Sequence, residues 1–373
     1  MAIDQGALGH PLITELQRIP TTGARAVEPF LLSGELWLAV PQLAADSPGT
    51  PDGINGGSSD SAVQLLREGR RGFVPAGELP VGGGEDVEVF TIGSRVFAAV
   101  ASIRSGSGPY DFATTSRLFA HDGSSFVPFQ EFDTFAAKEI RHFRIRGDDY
   151  LAIAQNAPGG TRTSTVLRWD DDRFTPFQDL SSVAGYNIAV FEMEGVTYLA
   201  HADHAAPSRL YRFEGGRFVE HQELMRAGGR AFLLLNDSTG TYLAIARIDG
   251  DSLLLHWNGE RMSEHAVLPG GAGGREFARI DTANGAYVLR VDFIHGTPAD
   301  PQSDLMSHVY RWSGGMLTRV GGFRTTGGTD VAVLPGRRFA VSNGLAAVPR
   351  PGSTFAADIV IYSFDDGTAK GSE

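Results

Sequence analysis

Two groups of side chains in this sequence have the types and spacing to do chemistry. The first is the tetrad His-Ala-Asp-His at 201–204. If the chain there is extended, His201 and Asp203 share one face and His204 opens the following loop. An imidazole beside a carboxylate suits proton transfer or metal ligation, and His295, from a later segment, could complete the set. His201, Asp203, His204 and His295 are therefore the candidate catalytic residues, against the plainer reading of structural or surface histidines. The second group is acidic. Asp86 and Glu88 also stand two apart, and Glu139 follows at a position equivalent to Asp86. Three such carboxylates brought together repel unless they are bridged. A hard cation such as Ca²⁺ would do this, making Asp86, Glu88 and Glu139 candidate metal ligands. Pairing with Lys138 and Arg141 is the alternative.

Composition removes several classes. The 373 residues contain no Cys, which excludes disulfides and Cys-ligated zinc. Lys and Arg total 32 against 44 Asp and Glu, a net charge of -12 with no basic block. That balance argues against nucleic acid and anionic membranes as partners. No apolar run approaches the ~18 residues of a membrane helix, and the opening MAIDQGALGH lacks the basic and apolar regions of a leader. A soluble, cytoplasmic monomer is expected. No P-loop, dinucleotide-binding glycine motif, HExxH, EF-hand loop or nucleophile elbow is present, so no organic cofactor is expected.

The elements that must position these residues are repeats. The segments ELWLAV, RVFAAV, DYLAIA, TYLAHA, TYLAIA, AYVLRV and RRFAVS recur, with aromatics Trp37, Phe97, Tyr150, Tyr198, Tyr242, Tyr287 and Phe339 spaced 44–60 residues apart. A following segment aligns Ser116, Ser164, Ser208, Ser252 and Ser307 in one column, and Trp169, Phe213, Trp257 and Trp312 in another. The next aligns Gln130, Gln178 and Gln222. Each segment is short, rich in Val, Leu, Phe and Tyr, and bounded by Gly or Asp. Four strands per repeat, repeated seven times, predict an all-β, seven-bladed β-propeller over 1–367 with a polar tail at 368–373. The four Trp side chains fall in repeat columns and are expected to pack between blades. ITELQRI at 13–19 carries Gln17 in the Gln column but stands apart from its companions, and the last repeat lacks a fourth segment. The N-terminal strand should therefore complete blade seven and close the ring.

These units resemble EAR repeats, also called EPTP or epitempin repeats, known from the leucine-rich glioma-inactivated proteins of animals. The likeness rests on F-x-x-x-Q in the fourth segment, Y-L-A-x-A in the second, and the aromatic followed by Gly or Asp in the third. It runs over about 12–367 and is best in blades three to five; blade one has Glu68 where the third-segment aromatic belongs. The resemblance implies a seven-bladed propeller, acidic residues at the channel as in some members, and recognition of protein partners.

In such a ring the first strands line a central channel, and the loops from strand two to three share a face with those from strand four to the next blade. The loops at 41–62, 101–115, 292–306 and 343–357 are long, and blades six, seven, one and two are contiguous, so a wall on one side of that face is expected. The Gly- and Ser-rich 41–62 is either ordered or disordered. Tyr110, Phe112, Phe293, His295 and Met306 are apolar or aromatic enough to suggest ordering or ligand contact. At the channel entrance stand Arg25, Glu85 with Asp86, Lys138 with Glu139, Tyr186 with Asn187, Arg230, Arg275 with Glu276, and Asp330, either as a solvated lining or as a site of convergent charge. Arg25, Tyr110, Tyr186, Asn187, Arg230, Arg275, Glu276, Phe293 and Asp330 are thus candidate ligand-binding residues. Two functions fit: recognition of a protein partner or large ligand on the loop-rich face, or cofactor-independent acid/base catalysis of cyclase, isomerase or lyase type at the same mouth.

Overall fold

Short runs of Val, Leu, Phe and Tyr, punctuated by Gly- and Asp-containing turns, have no stable place except in a sheet with both faces covered. The computed structural model describes residues 11–51, 53–157, 162–298, 300–347 and 353–367. Within them these runs form seven four-stranded antiparallel sheets. Blade one runs from Glu28–Leu32 to Gly72–Leu79, blade two from Gly84–Ile92 to Phe126–Phe135, and blade three from Ala137–Ile145 to Arg173–Leu180. Blade four runs from Gly185–Met193 to Arg217–Met225, blade five from Gly229–Asp237 to Met262–Val267, and blade six from Gly274–Thr282 to Met316–Thr326. The first strands of neighbouring blades pack against one another around the axis.

Blade seven is assembled from both ends of the chain. Gly328–Leu334, Arg338–Asn343 and Ile359–Asp365 supply three strands, and Leu12–Ile19 supplies the fourth. It pairs antiparallel with Ile359–Asp365, from Leu12 opposite Asp365 to Ile19 opposite Ile359. The expected closure by the N-terminal strand is therefore the observed one. The expected tail at 368–373 lies outside the described residues.

The repeat columns turn out to be inter-blade contacts. Second-strand aromatics meet third-strand aromatics of the next blade: Phe97 with Trp169, Tyr198 with Trp257 and Tyr242 with Trp312, at centroid distances of 5.4, 5.6 and 5.1 Å. These are edge-on contacts that add specificity to the apolar burial. In blade one, where Glu68 replaces the aromatic, Arg338 of blade seven pairs with it instead. Each Gln in the fourth-strand column bonds the backbone of the next blade as a missing strand would. Gln178 donates to Phe218 O at 2.7 Å and accepts from Phe218 N at 2.8 Å. Gln130 does the same to Phe174 and Gln222 to Met262. Gln17 does so to Phe73, fastening blade seven to blade one. The Ser column satisfies backbone groups at strand ends: the hydroxyls of Ser116, Ser164, Ser208 and Ser307 accept from the N–H of Ser102, Gln155, Asp203 and Asp292.

The described residues of the loop at 41–62 pack against neighbouring loops. Its Leu43 and Ala44 join Phe293, Ile294, Leu345 and Phe355 in a small core of their own, built from loops of blades one, six and seven. Gly57 shows how close this packing is. Its φ is +76°, and a Cβ there would lie 2.7 Å from the Phe355 ring, so no other residue fits without displacement.

Candidate functional site

Six of the seven first strands, those of blades two to seven, carry a register shift just after their first residue. A bulge places two consecutive side chains on one face where a regular strand would alternate them. This is why Glu85 and Asp86, Lys138 and Glu139, Tyr186 and Asn187, and Arg275 and Glu276 all line the channel together with Asp330. The result is two levels of charge of opposite sign.

The upper level is basic. Glu85 accepts from Arg25 Nε and Nη2, both at 2.9 Å, from Lys138 Nζ at 3.0 Å and from Arg275 Nη2 at 3.1 Å. Arg275 Nη1 donates to the Tyr186 hydroxyl at 2.7 Å. The Arg230 guanidinium lies 3.8 Å from the Tyr186 ring centroid, a cation–π contact. Its Nε and Nη1 are buried and have no hydrogen-bond partner among the described residues. The Phe293 ring covers both Arg25 and Arg275 at 5.3 Å. Burial opposes ionisation of Glu85, but Arg25, Lys138 and Arg275 overcome it and hold the carboxyl well below the usual range. Burial likewise opposes ionisation of Tyr186, and Arg230, Arg275 and Lys138 outweigh it, drawing the phenol well below its ordinary value.

The lower level is acidic and gathers around one cation. Arg141 donates to Glu88 at 2.9 Å and to Glu139 at 3.1 Å. Asp86 accepts from Ile140 N of the next blade, and Asp330 accepts from Val27 N of the next. Asn187 donates to Glu139, and Glu276 accepts from Phe277 N. Burial pushes Asp86 up to about 7 and Glu139 up to about 8, and raises Glu28 and Glu276. Of the three carboxylates expected to hold Ca²⁺, Glu88 and Glu139 pair with the Arg141 guanidinium, and Asp86 accepts from the backbone of Ile140. Among the described residues no group of three or more His, Asp or Glu side chains is arranged to hold a metal ion.

The proposed catalytic set is divided. His201 is fully buried, with Nε2 2.9 Å from Ser164 Oγ of the preceding blade, and burial lowers it to about 4. Asp203 is equally buried and accepts from the backbone N–H of Val183, Ala184, Ala205 and Ala206. Both hold the fold rather than face the mouth: strand geometry put them on one face, and that face points between blades. His204 and His295 do reach the mouth, where His295 Nε2 bonds Ala272 O at 3.0 Å.

Above the basic level lies a cavity of about 1130 Å³. Its walls are Ile54, Ile103, Phe112, Ile248, Phe293 and Ile294, and Arg25, Lys138, Tyr186 and Arg230 form its floor. Tyr110 lines it too, but its hydroxyl donates to Gly57 O at 2.6 Å, holding the blade-one loop. Met306 is exposed outside it. Sequence reasoning missed Arg104, which is buried in the loop at 101–115. It stacks 3.9 Å from the Tyr110 ring centroid and donates to Ser59 Oγ at 3.0 Å and to the carbonyls of Asn55 and Gly56. It also missed Arg290, fully buried with Nε and Nη2 on Asp292 at 2.9 and 3.0 Å. Arg290 and His201 occupy the same second-strand position, where other blades have Ile153 or Ile245. Each reaches a column Ser of the preceding blade, His201 to Ser164 and Arg290 to Ser252. A polar residue breaking an apolar column was the signal.

The closed ring of seven four-stranded sheets defines a seven-bladed β-propeller. Residues 125–170 match the EPTP domain. The human thrombospondin-type laminin G domain and EAR repeat-containing protein is 29% identical over 99 residues, 26% of this chain and 15% of its own length. Both matches concern EPTP/EAR repeats and cover these segments of the chain, and the chain spans well under two thirds of that relative's length. The β-propeller domain of Cps50 (Swd1) from Myceliophteria thermophila superposes with a TM-score of 0.60 at 10% identity, over 94% of this chain and 99% of that one. At that identity the likeness concerns the fold alone. Among the described residues no helix is long and apolar enough to cross a membrane.

Proposed function

We propose that this chain is a recognition propeller that binds its partner or ligand on the loop-rich face, in the cavity at the channel mouth. The observation that carries this reading is the cavity itself. It is about 1130 Å³, apolar in its walls and cationic in its floor, as binding sites with a few oriented polar groups are. The loops around it are packed on a separate small core, which supports binding to a preformed surface. A second reading, acid/base catalysis at the same mouth, is favoured by one observation: the Tyr186 phenol is held below its ordinary range beside Arg275 and Arg230, as suits a proton acceptor.

A thermal-shift screen of peptides and small molecules tests both. Compounds that stabilise the wild type are expected to lose their effect on Ile248→Trp, which fills the cavity. They should keep it on Ala283→Trp, at the exposed turn of blade six on the opposite face. Stabilisers that act equally on Ile248→Trp, or an empty screen, would overturn the site. A bound compound that is chemically converted by the wild type and not by Tyr186→Phe would replace recognition by catalysis.

A further inference from the structure

The charge of the cavity floor is not balanced. Among the described residues of the upper level, three of four cations, Arg25, Lys138 and Arg275, pair with the one carboxylate of Glu85, and the fourth, Arg230, has only the more distant field of Asp249 in the cavity wall. Arg230 is only 8% exposed. A buried cation with two unmet N–H donors is destabilising relative to a paired one. The Tyr186 ring centroid lies 3.8 Å from the Arg230 guanidinium, a cation–π contact that favours its staying charged there. The Arg230 Nε and Nη1 are enclosed, so the Nη2 end is the part of the guanidinium that meets the cavity and the apolar walls above.

Resting on the recognition reading, we propose that the cavity takes an apolar molecule ending in a single carboxylate, with the head bound by Arg230 and the body against Ile103, Ile248 and Phe293. One anionic group is enough because the other cations are already committed to Glu85. A cationic ligand would meet the unpaired guanidinium, and a polyanion would have to place its remaining charges against apolar walls. A neutral apolar ligand would fill the space and leave the Arg230 charge unpaired. Charge-assisted hydrogen bonds from a guanidinium to a carboxylate are among the stronger ones available in such a site.

The test is calorimetric titration of the full chain with decanoate, decanol, decylammonium and decyl phosphate. Decanoate should bind tenfold or more tightly than decanol, and decylammonium should not bind. Decyl phosphate no tighter than decanoate supports the carboxylate, whereas tighter phosphate binding overturns the choice of head group. Arg230→Gln should reduce decanoate to the level of decanol, and Arg230→Lys should restore part of the difference. Ala272→Trp, at the cavity rim, should weaken both ligands together. Equal binding of decanoate and decanol to the wild type overturns the anionic anchor, and this comparison needs no variant to fold. An unchanged decanoate affinity in folded Arg230→Gln does the same. Either result leaves the recognition reading standing if stabilisers in the screen still depend on Ile248, so the two failures can be told apart.

Discussion

Buried carboxylates that share too few cations hold their protons, and Asp86 and Glu139 do so around Arg141. Their ordinary values are 3.8 and 4.5, and burial raises them to about 7 and about 8 in the folded chain. The folded state then binds protons that the unfolded state has released. The stability they contribute is fully present below about pH 4 and is lost as pH rises through 7 and 8. His201 acts in the opposite sense. Burial lowers it from 6.5 to about 4, so its contribution is present above pH 6.5 and is lost as pH falls towards 4. The two trends oppose each other in acid, and above pH 6.5 the carboxylates act without it. Melting temperature is therefore expected to fall between pH 6.5 and 8. Asp86→Asn with Glu139→Gln should lessen that slope, leaving the share of Glu28 and Glu276, as measured by scanning calorimetry. A wild-type curve flat over this interval would refute the assignment.

The loops are elements held by single residues. Arg104 reaches from the blade-two loop into the turn at 55–59 and binds two of its carbonyls under the Tyr110 ring. Arg104→Ala is expected to release the segment 41–62 without opening the blades. Subtilisin should cut there roughly tenfold faster, with the global melting temperature little changed. Unaltered cleavage would mean that the apolar contacts of Leu43 and Ala44 suffice. The strands themselves were legible in the sequence, because Trp169, Trp257 and the Gln column recur at positions that only a repeated contact explains. The two-level channel was legible in part: Glu85 with Asp86 and Lys138 with Glu139 stood out as pairs. Their shared orientation depends on a bulge, which leaves no mark beyond a small residue at the strand start. His201 with Asp203 was misplaced because alternation tells which residues share a face and is silent on which face meets the axis. The packing of 41–62 was not legible, since its glycines permit close contact and open chain alike.

At the scale of the whole molecule, stability depends on the ring being shut. Leu12–Ile19 gives blade seven its outer strand, and Gln17 ties that blade to blade one. Removing residues 1–20 exposes the edge of Ile359–Asp365 and breaks that tie. Melting temperature is expected to drop by on the order of 10 °C, several kcal/mol at roughly 2–4 °C each, and the free edge should favour self-association. A synthetic peptide covering 11–20 should restore much of the loss. A truncated protein that melts with the full chain would show that the closing strand is dispensable.

The same closure sets a timetable. Thr14 and Ser363, neighbours in blade seven, lie 349 residues apart in the chain. At the usual 5–20 residues per second, a ribosome takes on the order of 20 to 70 s to travel that distance. Throughout that interval the earliest strand made has no partner, while the blades made after it can fold as they emerge. The ring is finished by the segment that appeared first and has waited longest. Synthesis therefore passes through an open arc with two sticky ends, and it is in this period, more than in the finished molecule, that the chain is exposed to mispairing with its neighbours.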